Sequence, residues 1–319
     1  MTATALVQAI NWNRIEDPED LKAWNAATGH FWLPEKVPLS SDEDSWAKLT
    51  QAEQTATLRA LVAISAASVP EATVGVISLM PYAVTPHEEA TYTHISFQNS
   101  VHARAASAAA FTLANPHDID DAYAWSAENH DVREGVSLLI DWFEKASAKR
   151  KAAAVIAETV LPAVGYYAPL TWASTQKVKN TADMIGLIAR DKASNAAYIG
   201  YKYRRELDAL PADERRILEE DAHTLLRAVT GRAERIASGM YAGLGLEEGA
   251  VKLIRHSANQ ALDHLGYERT FSAEETAVDD DILALLNALR DDPVAGGAGA
   301  GSGGQAAAAV ETDDDDWDF

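Results

Sequence analysis

Residues 180–207, NTADMIGLIARDKASNAAYIGYKYRREL, constrain the fold more than any other stretch of the chain. Apolar residues recur along it at steps of three and four, which is the spacing of a long helix with one wide buried face. The same spacing turns Asp191, Lys192 and Asn195 toward the interior. Buried polar groups are costly unless they are paired, so a helix that carries three of them inward suggests a metal or radical site. Lysine and asparagine are nevertheless poor metal ligands.

Composition excludes several classes of function. The chain has 319 residues, 47% of them hydrophobic, no cysteine and a formal net charge of -21. The absence of cysteine excludes disulfides, thiolate metal sites and cysteine nucleophiles. The acidic charge argues against nucleic acid or an anionic membrane as a partner. No apolar run reaches the roughly 18 residues that span a bilayer, and no secretion signal opens the sequence, so we expect a cytoplasmic protein.

Helical periodicity continues through most of the chain, and strand signals are almost absent. The first 40 residues, which contain Pro18, Pro34 and Pro38, are expected to be mostly irregular. The sequence therefore predicts an all-α bundle. The expected helices cover residues 45–67, 86–113, 118–146, 149–175 with interruptions at Pro162 and Pro169, 180–207, 212–242, 246–265 and 279–289.

The C-terminal stretch differs in composition from the rest, which predicts three parts. Residues 1–291 form the helical domain, and residues 292–312 form a flexible Gly/Ala-rich linker that is too poor in bulky apolar residues to pack. Residues 313–319 form an acidic-aromatic peptide. Exposed aromatic residues at the end of a flexible arm make good anchors for a partner's pocket, so we expect a docking peptide. Its expected contact residues are Asp314, Asp315, Asp316, Trp317, Asp318 and Phe319.

The interior polar positions indicate what kind of site the bundle could hold. Bundles with two metal ions take a carboxylate from each of two helices and a Glu-x-x-His pair from each of two others. Here Asn99 and His102 have the pair spacing, as do Lys192 and Asn195, and Glu158 lies in an apolar run. Either the Lys192 ammonium takes the place of the metal ions beside Glu158, or Lys192 extends outward to solvent. Spacing alone leaves both alternatives open.

Several longer motifs resemble the small (beta) subunit of class Ib ribonucleotide reductase. They are AINWNR, HFWLPEKVP, TVGVISLMP, VTPHEEA, SVHA, NTADMIGLIARD, YIGYKY and DDDWDF, and the resemblance extends from about residue 9 to residue 319. It implies a ferritin-like helical homodimer that stores a tyrosyl radical beside a dimanganese or diiron site. It also implies that the terminal peptide docks on the large, nucleotide-binding subunit.

The resemblance also shows which functional residues this chain lacks. Of the six positions that hold metal in the family, His102 and Glu158 keep a ligand, whereas the other four carry Ser68, Asn99, Lys192 and Asn195. The radical tyrosine falls at Ala106, and the tail tyrosine falls at about Gly304, in a segment without any tyrosine after Tyr267. The family residues that transfer the radical are kept as Trp32, Asp191 and His102.

A metal-free branch of the family carries a lysine in place of one glutamate and a modified tyrosine that holds the radical. Lys192 and Asn99 are similar to that branch. Ser68, Glu158, Asn195 and Ala106 differ from it, because that branch keeps the aspartate, the second histidine and the tyrosine but loses the third-helix glutamate. We therefore expect no metal cofactor and do not transfer the modified tyrosine to this chain.

Two functions remain as hypotheses. In the first, the chain is a non-catalytic or regulatory paralogue that keeps the homodimer fold and binds the large subunit. In the second, it is an active metal-free radical subunit of ribonucleoside-diphosphate reductase, with the radical relocated to an aromatic residue. The aromatic candidates, each of which could equally be core packing, are Trp32, Tyr166, Tyr167 and Tyr198. The combined loss of ligands and tyrosines favours the first hypothesis.

Overall fold

A computed structural model describes residues 9–287, and every regular element in that range is helical, which confirms the all-α prediction. The α-helices are α1 Pro18–Gly29, α2 Glu43–Trp46, α3 Gln51–Pro70, α4 Pro86–Leu113, α5 Pro116–Glu128, α6 His130–Phe143, α7 Ser147–Ser174, α8 Lys179–Leu207, α9 Ala212–Met240, α10 Glu247–Leu265 and α11 Asp280–Asn287. Short 3-10 helices cover Pro34–Lys36, Leu39–Asp42 and Ile77–Tyr82, and a π-helix covers Glu71–Gly75.

Helix α7 is the centre of the bundle. It contacts α3, α8, α9 and α10, and all of residues 151–170 are buried. A helix that is apolar on every side is stable only in the core of a large domain or in a membrane. Contrary to the prediction from the sequence, two segments, Gln51–Tyr82 and Ser147–Ser174, are apolar and long enough to cross a membrane. The most apolar window of the second is 100% buried within the fold, as expected of a core helix.

The first 40 residues are more ordered than the sequence predicts. Helix α1 begins with Pro18, and the side chain of Asp17 caps it by accepting a hydrogen bond from the Glu19 amide. The periodicity of α1 is weak, and its contacts with α4 and α8 stabilise it instead. The prediction of an irregular N-terminal segment was therefore wrong for residues 18–29.

Three predicted helices also differ from the structure. The helix expected over residues 45–67 is interrupted at residues 47–50, where the Thr50 side chain caps α3. Pro162 and Pro169 do not interrupt α7, because neighbouring helices hold it on all sides. The helix expected over residues 118–146 divides at Asn129 into α5 and α6. The Asn129 side chain accepts a hydrogen bond from the Val132 amide at 3.1 Å and so begins a new helix.

The start of α8 is fixed by the loop before α2. Gln176 and Val178 have positive φ angles of 65° and 45°, which reverse the chain before the helix begins. The carboxylate of Asp42 accepts hydrogen bonds from the Asn180 and Thr181 amides at 3.1 and 2.7 Å. These amides would otherwise lack partners at a helix N-terminus. The cap therefore sets which residues of α8 face α7 and α4.

Close helix contacts require glycine at two positions. A Cβ atom on Gly165 of α7 would lie 2.3 Å from the Ala60 carbonyl oxygen of α3. A Cβ atom on Gly200 of α8 would lie 2.5 Å from the His264 carbonyl oxygen of α10. Both distances are shorter than any van der Waals contact, so these glycines allow the helices around the polar centre to pack closely.

Candidate functional site

Three side chains from three helices form a closed ring of hydrogen bonds in the middle of the bundle. Lys192 of α8 donates from Nζ to Asn99 Oδ1 at 2.7 Å and to Glu158 Oε2 at 3.2 Å. Asn99 of α4 donates from Nδ2 to Glu158 Oε1 of α7 at 2.6 Å. Lys192 is 1% exposed, so of the two alternatives the ammonium lies inside the bundle and does not extend to solvent.

Several buried polar atoms around this ring have no hydrogen-bond partner within residues 9–287. They are Ser68 Oγ, both carboxyl oxygens of Glu71, His102 Nδ1 and Asn195 Nδ2. Unpartnered buried polar atoms are rare in folded proteins and indicate a site that holds or once held another group. Ser68, His102 and Asn195 are among the positions that the resemblance assigned to metal ligands.

Glu71 is a residue of this centre that the sequence analysis missed. It is fully buried, and a Cβ atom on Gly75 would come within 2.8 Å of both Glu71 Oε1 and the Phe143 ring, so the carboxyl group lies against an aromatic surface. Burial raises the pKa of Glu71 well above its ordinary value, the charge of Glu158 raises it further, and Lys192 offsets part of that effect. Its spacing of one helical turn from Ser68 was the available signal.

A second hydrogen-bonded chain joins the centre to the N-terminal region. Trp32 Nε1 donates to Asp191 Oδ2 at 2.8 Å, and His102 Nε2 lies 3.2 Å from the same oxygen. The Trp32 and His102 rings stack with centroids 6.3 Å apart. Arg190 donates to the other Asp191 oxygen at 2.9 Å. Burial would raise the pKa of Asp191, but His102, Arg190 and Trp32 together hold it below its ordinary value.

The position that the resemblance assigns to the radical tyrosine lies in the core but carries no aromatic ring. Ala106 is 1% exposed on α4, one turn after His102. Among the alternative aromatic residues, the Tyr198 hydroxyl donates to Asp20 at 2.8 Å and the Tyr167 hydroxyl donates to Asp279 at 3.3 Å. Tyr166 is buried beside the cavity that borders Lys192. The position at Gly304 and the docking peptide lie outside the described residues.

The donors present do not fit a dinuclear metal site. Residues 9–287 contain no group of three or more His, Asp or Glu side chains placed to hold a metal ion. Glu158 already accepts two hydrogen bonds, and an ammonium group stands where a divalent cation would be repelled. A site of two divalent cations needs several carboxylates, and here only Glu71 and Glu158 are available.

A small cavity borders the ring on its α10 and α11 side. It has a volume of about 40 Å³, and both Glu158 and Lys192 line it together with Ser257 and Gln260. Since liquid water occupies about 30 Å³ per molecule, the cavity is large enough for a molecule of that size. The ring is therefore buried but not sealed by close packing on every side.

A second buried lysine on α8, Lys202, is surrounded by acidic residues near the surface. Its Nζ lies 2.8 Å from Asp17, 2.5 Å from Asp20 and 3.5 Å from Glu88. Burial would lower the pKa of Lys202, but Glu88, Asp17 and Asp20 together raise it above its ordinary value. This Lys202 cluster joins α1 and α4 to α8, and the sequence analysis did not predict it.

Comparison with known proteins identifies the family to which this chain is similar. The family model described as "Ribonucleotide reductase, small chain" matches residues 9–278. The ribonucleoside-diphosphate reductase subunit beta nrdF2 of Mycobacterium tuberculosis is 41% identical over 287 residues, covering 90% of this chain and 89% of that protein. The ribonucleoside-diphosphate reductase 2 subunit beta of Escherichia coli is 39% identical over 287 residues and covers 90% of each chain.

The solved structures give the same result for the fold. Dimanganese(II)-NrdF of Streptococcus sanguinis superposes with a TM-score of 0.84 at 32% sequence identity, covering 88% of this chain and 99% of that one. The predicted ferritin-like architecture is thereby confirmed. The manganese ions belong to the streptococcal protein, whereas this chain places Lys192 and Asn99 in its own centre.

Proposed function

The chain belongs to the ribonucleotide reductase small-subunit family, and from this we propose that it is a metal-free member that binds the large subunit without generating the usual tyrosyl radical. It would act as a non-catalytic or regulatory paralogue, either competing with an active small subunit for the large subunit or acting as a scaffold beside it.

The observation that carries this proposal is the position of the Lys192 ammonium. Its hydrogen bonds to Asn99 at 2.7 Å and to Glu158 at 3.2 Å supply the positive charge that a buried carboxylate needs. A buried ion pair of this kind removes the requirement for a metal cation at the same place. The alanine at position 106 supports the same conclusion, since it has no phenol to oxidise.

The expected partners are the large subunit and a second copy of this chain. The acidic-aromatic peptide at residues 313–319 is the proposed contact with the large subunit, by analogy with the family. The end of α3, the segment after it and helix α4 together expose six large apolar side chains, which supports a homodimer in which they are covered. They are Val69, Ile77, Tyr82, Val84, Phe97 and Phe111, each at least 40% exposed. A cytoplasmic location is consistent with both partners.

Docking can be tested by measuring binding of the full chain to the purified large subunit. We expect the variants Trp317→Ala and Phe319→Ala to bind on the order of 30-fold or more weakly each, because buried aromatic anchors contribute about 2 kcal/mol or more. A chain that ends before residue 313 should lose binding while its circular dichroism and thermal unfolding are unchanged.

Asp313→Asn is the matched control for the docking experiment, because it changes one tail charge and leaves both aromatic residues intact. We expect it to alter the salt dependence of association far more than the affinity. Unchanged affinity of the truncated chain would exclude the peptide as the contact, whatever the metal content of the protein.

One observation favours the second candidate function, an active metal-free radical subunit. The chain Trp32–Asp191–His102 is complete, with donor–acceptor distances of 2.8 and 3.2 Å. In that case the radical would reside on another aromatic residue, such as Tyr198, whose hydroxyl has a carboxylate acceptor at 2.8 Å. A carboxylate that accepts the phenol proton makes loss of an electron from the ring easier.

Electron paramagnetic resonance and metal analysis of protein from its native host distinguish the two candidates. We expect no organic radical, no stoichiometric metal and no ribonucleotide reduction with the cognate large subunit. A stable organic radical without metal, together with turnover, would support the active subunit instead. Tail-dependent binding is expected in both cases, so it does not decide between them.

A further inference from the structure

The ring formed by Lys192, Asn99 and Glu158 places three different reactive groups in contact. It contains a primary amine, a side-chain amide and a carboxyl group that touches both of them, at 3.2 Å from the amine nitrogen and 2.6 Å from the amide nitrogen. All three side chains are at least 97% buried. An amine and an amide of this kind can combine to give a new amide bond with release of ammonia.

We propose that Lys192 and Asn99 become joined by an intramolecular amide bond between Nζ and Cγ, and that Glu158 transfers the protons. Such a bond would link α4 to α8 covalently through the centre of the bundle. The Lys192 ammonium would be lost, but Glu158 would become a neutral carboxylic acid at the same time and so would no longer need a cation. The Asn99 amide nitrogen would depart as ammonia.

The geometry brings the amine within reach of the carbon that it would attack. Nζ is 2.7 Å from Asn99 Oδ1, and one carbonyl bond of about 1.2 Å separates that oxygen from Cγ. Fixing two reactants at such a separation is equivalent to a very high local concentration. An amine is nucleophilic only when it is neutral, so the reaction begins when the Lys192 ammonium passes a proton to Glu158 Oε2, which lies 3.2 Å away.

Glu158 is placed to carry each proton that the reaction moves. The Glu158 carboxyl group accepts one proton from the Lys192 ammonium and donates a proton to Asn99 Nδ2, as the Nζ–Cγ bond forms and the Cγ–Nδ2 bond breaks. Of the two protons then left on Nζ, one moves to Glu158 and remains there, and the other stays on the nitrogen of the new amide. The balance is one ammonium, one carboxylate and one primary amide before the reaction, and one secondary amide, one carboxylic acid and one ammonia after it.

Two features of the surroundings favour this reaction. The cavity of about 40 Å³ that borders Lys192 and Glu158 provides space for the ammonia that leaves. Burial and the charge of Glu158 raise the pKa of Glu71, the other carboxyl group near the pair, which lessens its competition for the Lys192 ammonium. Among the hydrogen bonds of residues 9–287, no other lysine ammonium donates to a side-chain amide.

Intact-mass spectrometry of the purified full-length chain tests the proposal directly. We expect the denatured protein to be lighter than its sequence mass by one ammonia. Proteolysis should then release a branched peptide in which the segments containing Asn99 and Lys192 are joined. The sequence has no Asn-Gly pair, where ammonia is most readily lost without cross-linking, and the branched peptide assigns the loss to one site.

Four variants test the reaction by the mass that each loses relative to its own sequence. Glu158→Gln keeps the shape of the side chain but cannot accept a proton, so we expect the full sequence mass, and Lys192→Met should behave in the same way. Asn99→Asp should still form the bond but lose water instead of ammonia. Asn195→Ala is the matched control, because it removes a neighbouring amide that contacts neither partner, and it should lose ammonia as the wild type does.

A wild-type mass equal to the sequence mass, with separate Asn99 and Lys192 peptides after prolonged incubation of the folded protein, would overturn the proposal. Loss of ammonia that maps to another residue would overturn it as well. The experiment does not use the large subunit, so its result is independent of the proposed docking. A wild-type measurement alone decides the matter if any variant fails to fold.

Discussion

Lys192 and Lys202 lie on the same helix and are both buried, but their surroundings differ in how many polar atoms are satisfied. Around Lys202, Asp20 accepts hydrogen bonds from Thr85 at 2.5 Å and Tyr198 at 2.8 Å in addition to the ammonium contact. Around Lys192, by contrast, atoms of Ser68, Glu71, His102 and Asn195 have no partner among the described residues.

This difference distinguishes the Lys202 cluster, whose polar groups are paired with one another, from the centre at Lys192, where several polar groups are unpaired. In the Lys202 cluster each carboxylate has at least two donors, as expected when a polar network has the single task of joining α1, α4 and α8. The centre at Lys192 has more polar atoms than its side chains can pair. Unpaired buried polar groups lower stability, and three of these residues, Ser68, His102 and Asn195, stand at positions that the resemblance assigns to metal ligands, whereas Glu71 does not.

The largest expected effect comes from removing the ammonium of the saturated cluster. Lys202→Met leaves Asp20 and Glu88 buried without their cation, so we expect a loss of roughly 3–5 kcal/mol in the free energy of unfolding. Urea denaturation at neutral pH measures it. The control is Lys22→Met, because Lys22 is 76% exposed and its pair with Glu19 contributes little. A loss below 1 kcal/mol for Lys202→Met would show that the cluster does not stabilise the fold.

The next effect tests whether the centre can still hold a metal ion. Lys192→Glu replaces the cation by a third carboxylate beside Glu71 and Glu158, so without metal we expect a loss of roughly 2–4 kcal/mol. Because His102 and three carboxylates are suitable ligands, Mn²⁺ should raise the midpoint of thermal unfolding of this variant and leave the wild type unchanged. Metal analysis should find bound Mn²⁺ only in the variant.

The control for the metal experiment is Lys192→Met, which removes the same ammonium but adds no carboxylate. It should lose stability that Mn²⁺ does not restore. If Lys192→Glu neither loses stability nor gains metal, Lys192 does not lie inside the centre.

A third prediction concerns Glu71, the unpaired carboxyl group. Its pKa in the folded chain is raised above the ordinary value of 4.5, so the folded state binds more protons than the unfolded state above that pH. Stability from this group is therefore complete below pH 4.5 and is lost as the pH rises through the folded pKa. Glu71→Gln removes this loss and should stabilise the protein by about 1–2 kcal/mol at pH 8, but not at pH 4.

Glu53→Gln is a suitable control for Glu71→Gln, since Glu53 lies at the exposed start of α3 and takes part in a helix cap. Glu53→Gln should lower the free energy of unfolding slightly, whereas Glu71→Gln should raise it. Equal stability of Glu71→Gln and wild type at every pH would indicate that Glu71 is paired or hydrated in solution.

The sequence predicted the helices with strong periodicity and the inward direction of Asp191 and Asn195 because one buried face determines both. It could not predict α1, whose stability comes from contacts with distant helices, or the division at Asn129, where a side-chain cap outweighs the helical pattern. It left the direction of Lys192 open, because a lysine can reach either solvent or the core from the same backbone position. Glu71 was missed because its spacing of one turn from Ser68 was the only signal, and the residue lies in a short π-helix outside the long periodic helices.

The smallest expected effects on the free energy of unfolding differ in sign between the Lys202 cluster and the centre at Lys192. Tyr198→Phe removes a satisfied hydroxyl whose bond to Asp20 is 2.8 Å long, so we expect a loss of about 1 kcal/mol. Ser68→Ala removes a buried hydroxyl that has no partner, so it should cost nothing or stabilise the protein by up to about 1 kcal/mol. Both changes delete one oxygen atom from a fully or nearly fully buried side chain, which makes them a matched pair for chemical denaturation. A comparable loss for both would mean that Ser68 has a partner in solution, such as an ordered water, and that the centre at Lys192 is as well satisfied as the Lys202 cluster.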